Sequence, residues 1–375
     1  MSTIKKVIIA VLAVLTLIIV GVSAYTIKIA DDASKTVDKM NEEVGGLSDK
    51  AVDPETLEPF SILLLGVDTG DLGRTEQGRS DTIMVATVNP KEHTTTLASV
   101  DRDIYTSISG YGTYDKINAA YSFGGISDEN GEGGGSAGGV EMAINTVEDF
   151  LDIPIDHYAT INLKGLKQLI DAVGGIEVNN KIDFTLEGVH VPAGKITLDG
   201  ETGLAYARMR DDDPEGDVGR QRRQREVLTK VLEKLVSFDS LSNYEEIFDA
   251  IGDNTKTDLT WDEMITIATN YTAALDNIEE LQISGQGVMM NNIYYQMMGY
   301  DELLNDQNQL KEQLDIEPAD TLPNIADPEM LFYDDSEISS TAGTDDTAMS
   351  RVYPAYYFPI ASAETDDTIT EYTDQ

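Results

Sequence analysis

Residues Ser80 to Asp103, SDTIMVATVNPKEHTTTLASVDRD, decide the fold. Thr82–Asn89 and Thr94–Val100 are β-branched and apolar runs, and Asn89-Pro90-Lys91-Glu92 between them is a turn signal. The pattern predicts a hairpin. Upstream, Phe60–Asp68 (FSILLLGVD) is a continuous apolar run closed by Gly66 and Asp68, which fits a buried strand over Phe60–Leu65. A hairpin has a chemical consequence here. The start of one strand and the end of the other share an edge, so Asp81 and Arg102 meet opposite the turn. The first strand delivers Asp68 to the same edge through the loop carrying Arg79. Two carboxylates and two arginines are expected to converge there.

Downstream, helical and extended patterns alternate. YDKINAAYSFGG (Tyr114–Gly125) reads as a short helical stretch. Ser127–Gly139 is rich in glycine and acid but lacks the strand–G-x-x-x-x-G-K-[ST]–helix pattern of a phosphate loop, so a surface loop is expected. Val140–Leu151 and Leu163–Val173 are amphipathic and flank a strand, HYATIN (His157–Asn162). Gly174-Gly175 ends the second helix, and Gly175–Ile182 reads as another strand. Asp199–Ala207 is a short helix. Beyond Phe238, helices are expected over Asn243–Ile251, Trp261–Leu275 and Asp301–Leu314, with a last strand in LQISGQ (Leu281–Gln286). Trp261 and the Met289, Met290, Met297, Met298 set read as core packing. The fold class is α/β (α+β), a mixed sheet flanked by helices.

The charge is concentrated in Leu204–Glu226, LAYARMRDDDPEGDVGRQRRQRE, where six of the ten arginines fall within eighteen residues of a chain of net charge −42. A charge run normally solvates a helix face. Phase argues otherwise. From Val218 onward, Val227, Leu228, Val231, Leu232 and Leu235 recur at a helical period. At about 100° per residue, Arg220 and Gln224 point with Val227 and Val231, whereas Arg222 points away and Arg225 lies at the margin. An arginine and an amide on a core-facing stripe need partners, and the helix N-terminus favours an anion. Guanidinium forks suit phosphate oxygens.

Composition removes other chemistries. There is no cysteine, and three isolated histidines (His93, His157, His190) cannot build a histidine-rich metal site. A metal would be a hard ion on carboxylates, with Mg²⁺ the first choice. The acidic balance argues against nucleic acid. Lys5 and Lys6 precede an uncharged run of twenty-one residues, Val7–Ile27. At about 1.5 Å per residue it crosses a hydrocarbon core of about 30 Å. Basic residues before it and Asp31, Asp32 after it predict a cytoplasmic N-terminus and the remainder outside. The rival is a signal peptide cut after Val22-Ser23-Ala24, but the run is longer than a usual signal core. The expected organisation is a short N-terminus (1–6), an anchor (7–27), a membrane-proximal linker (28–58), a catalytic domain (59–320, motifs in 60–236) and an acidic, disordered tail (321–375).

LLLGVD, GRSDTIMVATVNP, SVDRD, YDKINAAYSFGG, IDHYATINLKGLKQLIDAVGG, LDGETGLAYARMR and DVGRQRRQREVL, in this order over Phe60–Leu235, resemble the LytR-CpsA-Psr family of Gram-positive envelope proteins. The resemblance departs at Asp101, where the family usually has proline. It implies an extracellular phosphotransferase that moves a teichoic acid, capsule or similar anionic glycopolymer from a polyprenyl-pyrophosphate carrier to peptidoglycan. The acceptor implied is the C6 hydroxyl of N-acetylmuramic acid, and the product a phosphodiester. Carried over by motif, Asp68 and Asp81 would hold Mg²⁺ (or Mn²⁺). Arg79, Arg102, Arg208, Arg210, Arg220 and Gln224 would grip the pyrophosphate, with Arg79, Arg102, Asp217 and Arg220 the catalytic set. Asp217 would orient arginines or sit near the acceptor; Asp103 and Asp217 are the candidate bases. Helices around 140–173 and 227–236 are expected to line a groove for the lipid tail. Two rival functions keep the arginines: a lipid-pyrophosphate hydrolase, and a non-catalytic envelope sensor or attenuator. The sequence leaves the glycopolymer and the oligomeric state open.

Overall fold

The computed structural model describes residues 26–48, 56–69, 78–126, 134–235, 247, 249 and 252–322. The expected span lies outside them except for its last two residues, as do the tail after residue 322 and nearly all of the helix expected at Asn243–Ile251. Among the described residues no helix is long and apolar enough to cross a membrane.

The hairpin forms as the sequence dictates. β2 (Ser80–Asn89) and β3 (Thr94–Val100) pair antiparallel from Ile83↔Val100 to Asn89↔Thr94, with His93 in a left-handed conformation at the turn (φ 56°). β1 (Phe60–Val67) pairs antiparallel with β2. β6 (His157–Asn162) joins β1 in parallel, and β12 (Asn277–Ile283) joins β3 in parallel. With β11 (Thr255–Thr257) on the far side, the six-stranded sheet has the order β11-β6-β1-β2-β3-β12. The C-terminal ends of β1, β3, β6 and β12 and the start of β2 therefore lie along one edge.

Strand alternation splits the core. Leu63, Leu65, Val85, Ala98 and Val100 face α3 (Gly135–Leu151) and α8 (Tyr300–Gln313). Phe60, Ile62, Met84, Ala86 and Leu97 face the opposite way, onto α1 (Thr26–Met40) and α7 (Trp261–Asn270). Inside the stretch 28–58 read as a linker, α1 is packed, with Ala33, Val37 and Met40 at 0, 2 and 7% exposure. A third cluster joins α4 (Leu163–Ala172), β7 (Ile176–Asn180), β10 (Gly194–Leu198), α5 (Gly200–Arg208) and α6 (Gly216–Leu235).

Several local expectations are corrected. Tyr114–Lys116 is not helical: it belongs to β5 (Thr113–Lys116), paired with β4 (Tyr105–Ile108), and the helix is the shorter α2 (Ala119–Gly124). The strand read at Gly175–Ile182 pairs only with β10, outside the main sheet. β8 (Phe184–Leu186) pairs with β9 (Val189–Val191), and a second late hairpin, β13 (Gln286–Met290) with β14 (Ile293–Met297), follows β12. Met297 and Met298 are core residues, whereas Met289 is 47% exposed. Of the helices around 140–173 and 227–236 expected to line a groove, α4 shares an apolar cluster with α6 through Leu169, Ile170, Val227 and Val231, whereas α3 packs on the other face of the sheet.

The glycine-rich insertion is corrected too. Residues 135–139 are not loop but the first turn and a half of α3, and a Cβ on Gly124 would collide with the Gly138 carbonyl and one on Gly138 with the Gly124 carbonyl. The glycines permit backbone-to-backbone packing of α2 on α3. Gly124→Ala is therefore expected to destabilise by roughly 1–3 kcal/mol through overpacking, read as a lower urea midpoint at unchanged slope. An unaltered midpoint would contradict this contact.

Candidate active site

Asp81 is positioned by an irregularity. Gly66 pairs with Thr82 but Val67 with Ser80, which leaves Asp81 as the extra residue of a β-bulge at the sheet edge. Such a bulge re-aims a side chain. Asp81 turns to Arg102, just beyond the end of β3, with Oδ1 2.7 Å from Nη1, and Asn118 Nδ2 donates to the same oxygen at 3.2 Å.

Arg220 arrives from α6, whose entry is fixed by Arg223. Arg223 is 4% exposed; it donates from Nε to the Tyr206 carbonyl at 3.0 Å, and also to the Met209 carbonyl and the Asp213 carboxylate. Burial opposes the Asp213 charge, but the Glu215 amide and Arg223 outweigh it and hold that carboxyl below its ordinary range. Gly219 must be glycine here, because a Cβ would enter the Asp213 carboxylate. Thus pinned, the first turns of α6 carry Asp217 and Arg220 to the edge. Arg220 Nη2 lies 2.7 Å from Asp217 Oδ1 and donates to Oδ2 at 3.0 Å. Asp217 Oδ1 is also 3.9 Å from Arg102 Nε, so one carboxylate sits between two guanidiniums.

A chain of hydrogen bonds holds Asp217 from behind. Gln221 Nε2 donates to its Oδ2 at 3.1 Å, Gln282 Nε2 donates to Gln221 Oε1 at 2.6 Å, and Arg225 Nη1 donates to Gln282 and Ser99 at 3.0 and 2.7 Å. Other buried atoms of the cluster lack hydrogen-bond partners: Arg102 Nε, Arg220 Nε, Gln224 Oε1 and Asn118 Oδ1. For Arg102 Nε the nearest carboxylates, Asp103 at 3.7 Å and Asp217 at 3.9 Å, give Coulombic contact beyond hydrogen-bond length. Asp217 Oδ1 is likewise close to Arg220 without hydrogen-bond geometry. Buried N–H groups left this way are costly, and phosphate oxygens are the partners that suit them.

The electrostatics are tightly opposed. Burial, and then Arg102, lower the Arg220 pKa against the pull of Asp217. Burial opposes the Arg102 charge as well, but Asp81 and Asp217 more than offset it and raise its pKa. Asp101, fully buried, has its carboxyl pushed up to about 6 by burial and then by Asp217, despite bonds from the Asp103 amide (3.1 Å) and Gln296 Nε2 (2.6 Å). Asp101, Asp103 and Asp217 each offer a carboxylate oxygen within 4.8 Å of the others, the donor chemistry a hard divalent ion requires. Lys116 Nζ faces Asp103 at 2.7 Å.

The expected residues divide. Asp81, Arg102, Asp217 and Arg220 come together, and Gln224 follows one turn along the same stripe. Arg222 is exposed and pairs with Glu215. Arg208 instead makes a two-pronged bond to Glu187 at 2.8 and 3.1 Å, in a cleft lined by Leu186, Val189 and Leu204. Arg210 is exposed beside Asp211 at 3.2 Å. Arg79 is exposed, near enough to Tyr295 to act on its hydroxyl, and its amide donates to Asp68 Oδ1 at 2.8 Å. Asp68 thus bonds the loop backbone. Sequence reasoning passed over Asp101 as a site residue, and over Asn118, Gln221, Arg223 and Gln282. Only Arg223 had a signal, since it sits about 40° from Val227 on the helical projection.

Two predictions follow from the buried charges. Arg223→Ala is expected to cost roughly 3–5 kcal/mol, because it strands Asp213, whereas Arg222→Ala stays within about 0.5 kcal/mol; denaturant titration of both checks the contrast. Asp101 has a folded pKa above its ordinary 3.8, so the folded state loses stability as pH rises from about 4 through about 6. Asp101→Asn should then raise the thermal midpoint at pH 8 and gain little at pH 4, by up to about 3 kcal/mol at the upper end. A midpoint gain independent of pH would refute the assignment.

Comparison with known proteins agrees with this architecture. A teichoic acid transferase of Enterococcus faecalis, named polyisoprenyl-teichoic acid–peptidoglycan teichoic acid transferase TagU, is 47% identical over 317 residues, covering 84% of this chain and 99% of that one. A crystal structure from Enterococcus faecalis, described as a transcriptional regulator, is 51% identical, with a TM-score of 0.60 over 72% of this chain and 92% of that one. The crystal structure of Bacillus subtilis TagU gives 37% identity and a TM-score of 0.52, over 70% and 99% of the two chains. The model of the LytR_cpsA_psr family matches residues 22–312, and the chain belongs to that family.

Proposed function

We propose that the chain is a phosphotransferase that moves teichoic acid, or a similar anionic glycopolymer, from a polyprenyl-pyrophosphate carrier to peptidoglycan. The acceptor in this reading is the C6 hydroxyl of N-acetylmuramic acid. The observation that carries it is the buried Arg102–Asp217–Arg220 constellation, with guanidinium N–H groups that have no hydrogen-bond partner. The name of the Enterococcus faecalis relative supplies the donor and acceptor classes. The reading also places the domain outside the cell, held by the span expected at 7–27.

Phosphoryl transfer needs positioning and charge neutralisation more than covalent participation. The acceptor oxygen attacks the phosphorus that carries the glycan, the phosphoanhydride bond breaks, and polyprenyl phosphate leaves. Arg102 and Arg220 meet the charge that grows on the non-bridging and leaving oxygens. Asp217 keeps both guanidiniums in register, and Gln221 keeps Asp217 in place. Asp103 and Asp217 are the carboxylates placed to take the hydroxyl proton. Mg²⁺ (or Mn²⁺) belongs to the proposal: when bound, it would neutralise pyrophosphate charge. Asp81, with Asp68 as the resemblance implies, would hold it, and Asp103 and Asp217 lie at the same edge. Asp68 already accepts from the Arg79 amide, but a carboxylate has lone pairs for a second partner.

The test uses the full chain in detergent with a polyprenyl-pyrophosphate glycan and peptidoglycan fragments. Arg220→Ala is expected to lose roughly 10²–10³ in transfer rate, with Arg222→Ala near wild type, and a chelator should abolish the reaction. Equal rates for the two folded variants would remove the catalytic role of Arg220. Release of free polymer phosphate instead of wall-linked product would establish the hydrolase. A sensor would bind the donor, transfer nothing and tolerate Asp81→Asn.

A further inference from the structure

One flank of the arginine cluster has a chemistry that the phosphate reading does not use. On β4 and β5, Tyr105 pairs with Lys116 and Ser107 with Tyr114, so these four residues share one face of the hairpin. Ile108 lies on the other face and is buried. The Tyr105 ring lies 5.7 Å from that of Tyr114, tilted by 30°, and 5.1 Å from that of Tyr295 on β14, edge-on at 74°. Lys116 Nζ stands 5.7 Å over the Tyr295 ring and at the same time pairs with Asp103. Tyr114 is 40% exposed. The result is a patch of tilted phenol rings with a lysine between them and the charge cluster.

We propose that Tyr105, Tyr114 and Tyr295, with Lys116, form the docking surface for the glycan strand that supplies the acceptor hydroxyl; this rests on the phosphotransferase reading above. Two arguments select a glycan. First, a pyranose offers an apolar C–H face rimmed by hydroxyls, and tyrosine offers an apolar ring with a polar tip and little conformational freedom to lose. Second, the patch is continuous with the reacting centre: Lys116 contacts Asp103, Asp103 contacts Arg102, and the Arg79 charge acts on the Tyr295 hydroxyl. In-line transfer requires the attacking oxygen to enter opposite the leaving group. The rings are reached from Arg102 through Asp103 and Lys116, so an acceptor seated on them approaches the cluster from the hairpin side.

The experiment measures binding of un-crosslinked glycan strands, released from peptidoglycan by an amidase, to the full chain in detergent. The same strands serve as acceptor in the transfer assay, and phosphatidylglycerol vesicles are run in parallel. Tyr114→Ala removes an exposed ring; it is expected to weaken strand binding, and to raise KM for the strands, by about five- to tenfold, while KM for the lipid-linked donor holds within twofold. Tyr114→Phe keeps the ring and should stay within twofold of wild type throughout. Thermal midpoints confirm that the variants fold. Strand binding equal in Tyr114→Ala and wild type overturns the proposal. Ring-dependent binding of vesicles rather than strands overturns it as well and assigns the patch to the membrane. A wild-type protein that binds strands through Tyr114 yet transfers nothing sinks the phosphotransferase reading and leaves the surface standing.

Discussion

The guanidinium of Arg220 is held almost out of water, 2.7 Å from Asp217 and close enough to Arg102 for each charge to act on the other. A buried charge survives only with its partner fixed, because moving either one strands the other. The surrounding architecture meets that demand. Arg223 ties the entry of α6 to Tyr206, Met209 and Asp213, while Gln221, Gln282 and Arg225 link the first turns of α6 to β3 and β12. The two other buried or half-buried arginines on α6, Arg223 and Arg225, bond Tyr206, Met209, Asp213, Ser99 and Gln282 rather than the cluster. They hold the residue that faces it.

The signs of the charges constrain what can enter. Arg102, Arg220 and Lys116 stand against Asp81, Asp101, Asp103 and Asp217, so the cationic groups do not outnumber the carboxylates. Asp101 is held up in pKa first by burial and then by Asp217, so its own charge is unwelcome there. A pyrophosphate entering this cluster alone would meet both attraction and repulsion. In the proposed reaction a divalent ion entering with it would restore the balance, and carboxylates are the ligands such an ion takes. The acids that look excessive for phosphate binding are therefore what argues for a metal-assisted reaction.

Much of this was legible because it is local. The hairpin over Thr82–Val100 and the inward phase of Arg220 against the outward phase of Arg222 follow from periodicity within one element, and both are found. What stayed hidden depends on partners far away in sequence. Arg208 entered the expected cage by motif, but Glu187 on the β8–β9 turn claims it. Gly135–Gly139 looked like loop because nothing in the segment announces that Gly124 will lie against it. The β13–β14 hairpin turns on Asn291 and Asn292, both left-handed, a signal that was present and unread between two methionine pairs.

Asp101 shows how the two flanks of the site are joined. Next to an arginine, an added acid is expected to compete with phosphate for that arginine. Its carboxylate instead turns away from Arg102, accepting from the Asp103 amide and from Gln296. Gln296 adjoins Tyr295 on β14, and its amide N–H donates to the Asp103 carbonyl at 2.8 Å, while its Oε1 accepts from Gly285. One buried acid thus closes the loop after β3 and anchors the late hairpin to it. Removing a proton from Asp101 strengthens the bond from Gln296 and at the same time increases repulsion from Asp217, so the two effects act in opposite directions on the same few ångströms. Tyr295 is therefore carried by a strand that the Asp101 carboxylate ties to the loop bearing Arg102.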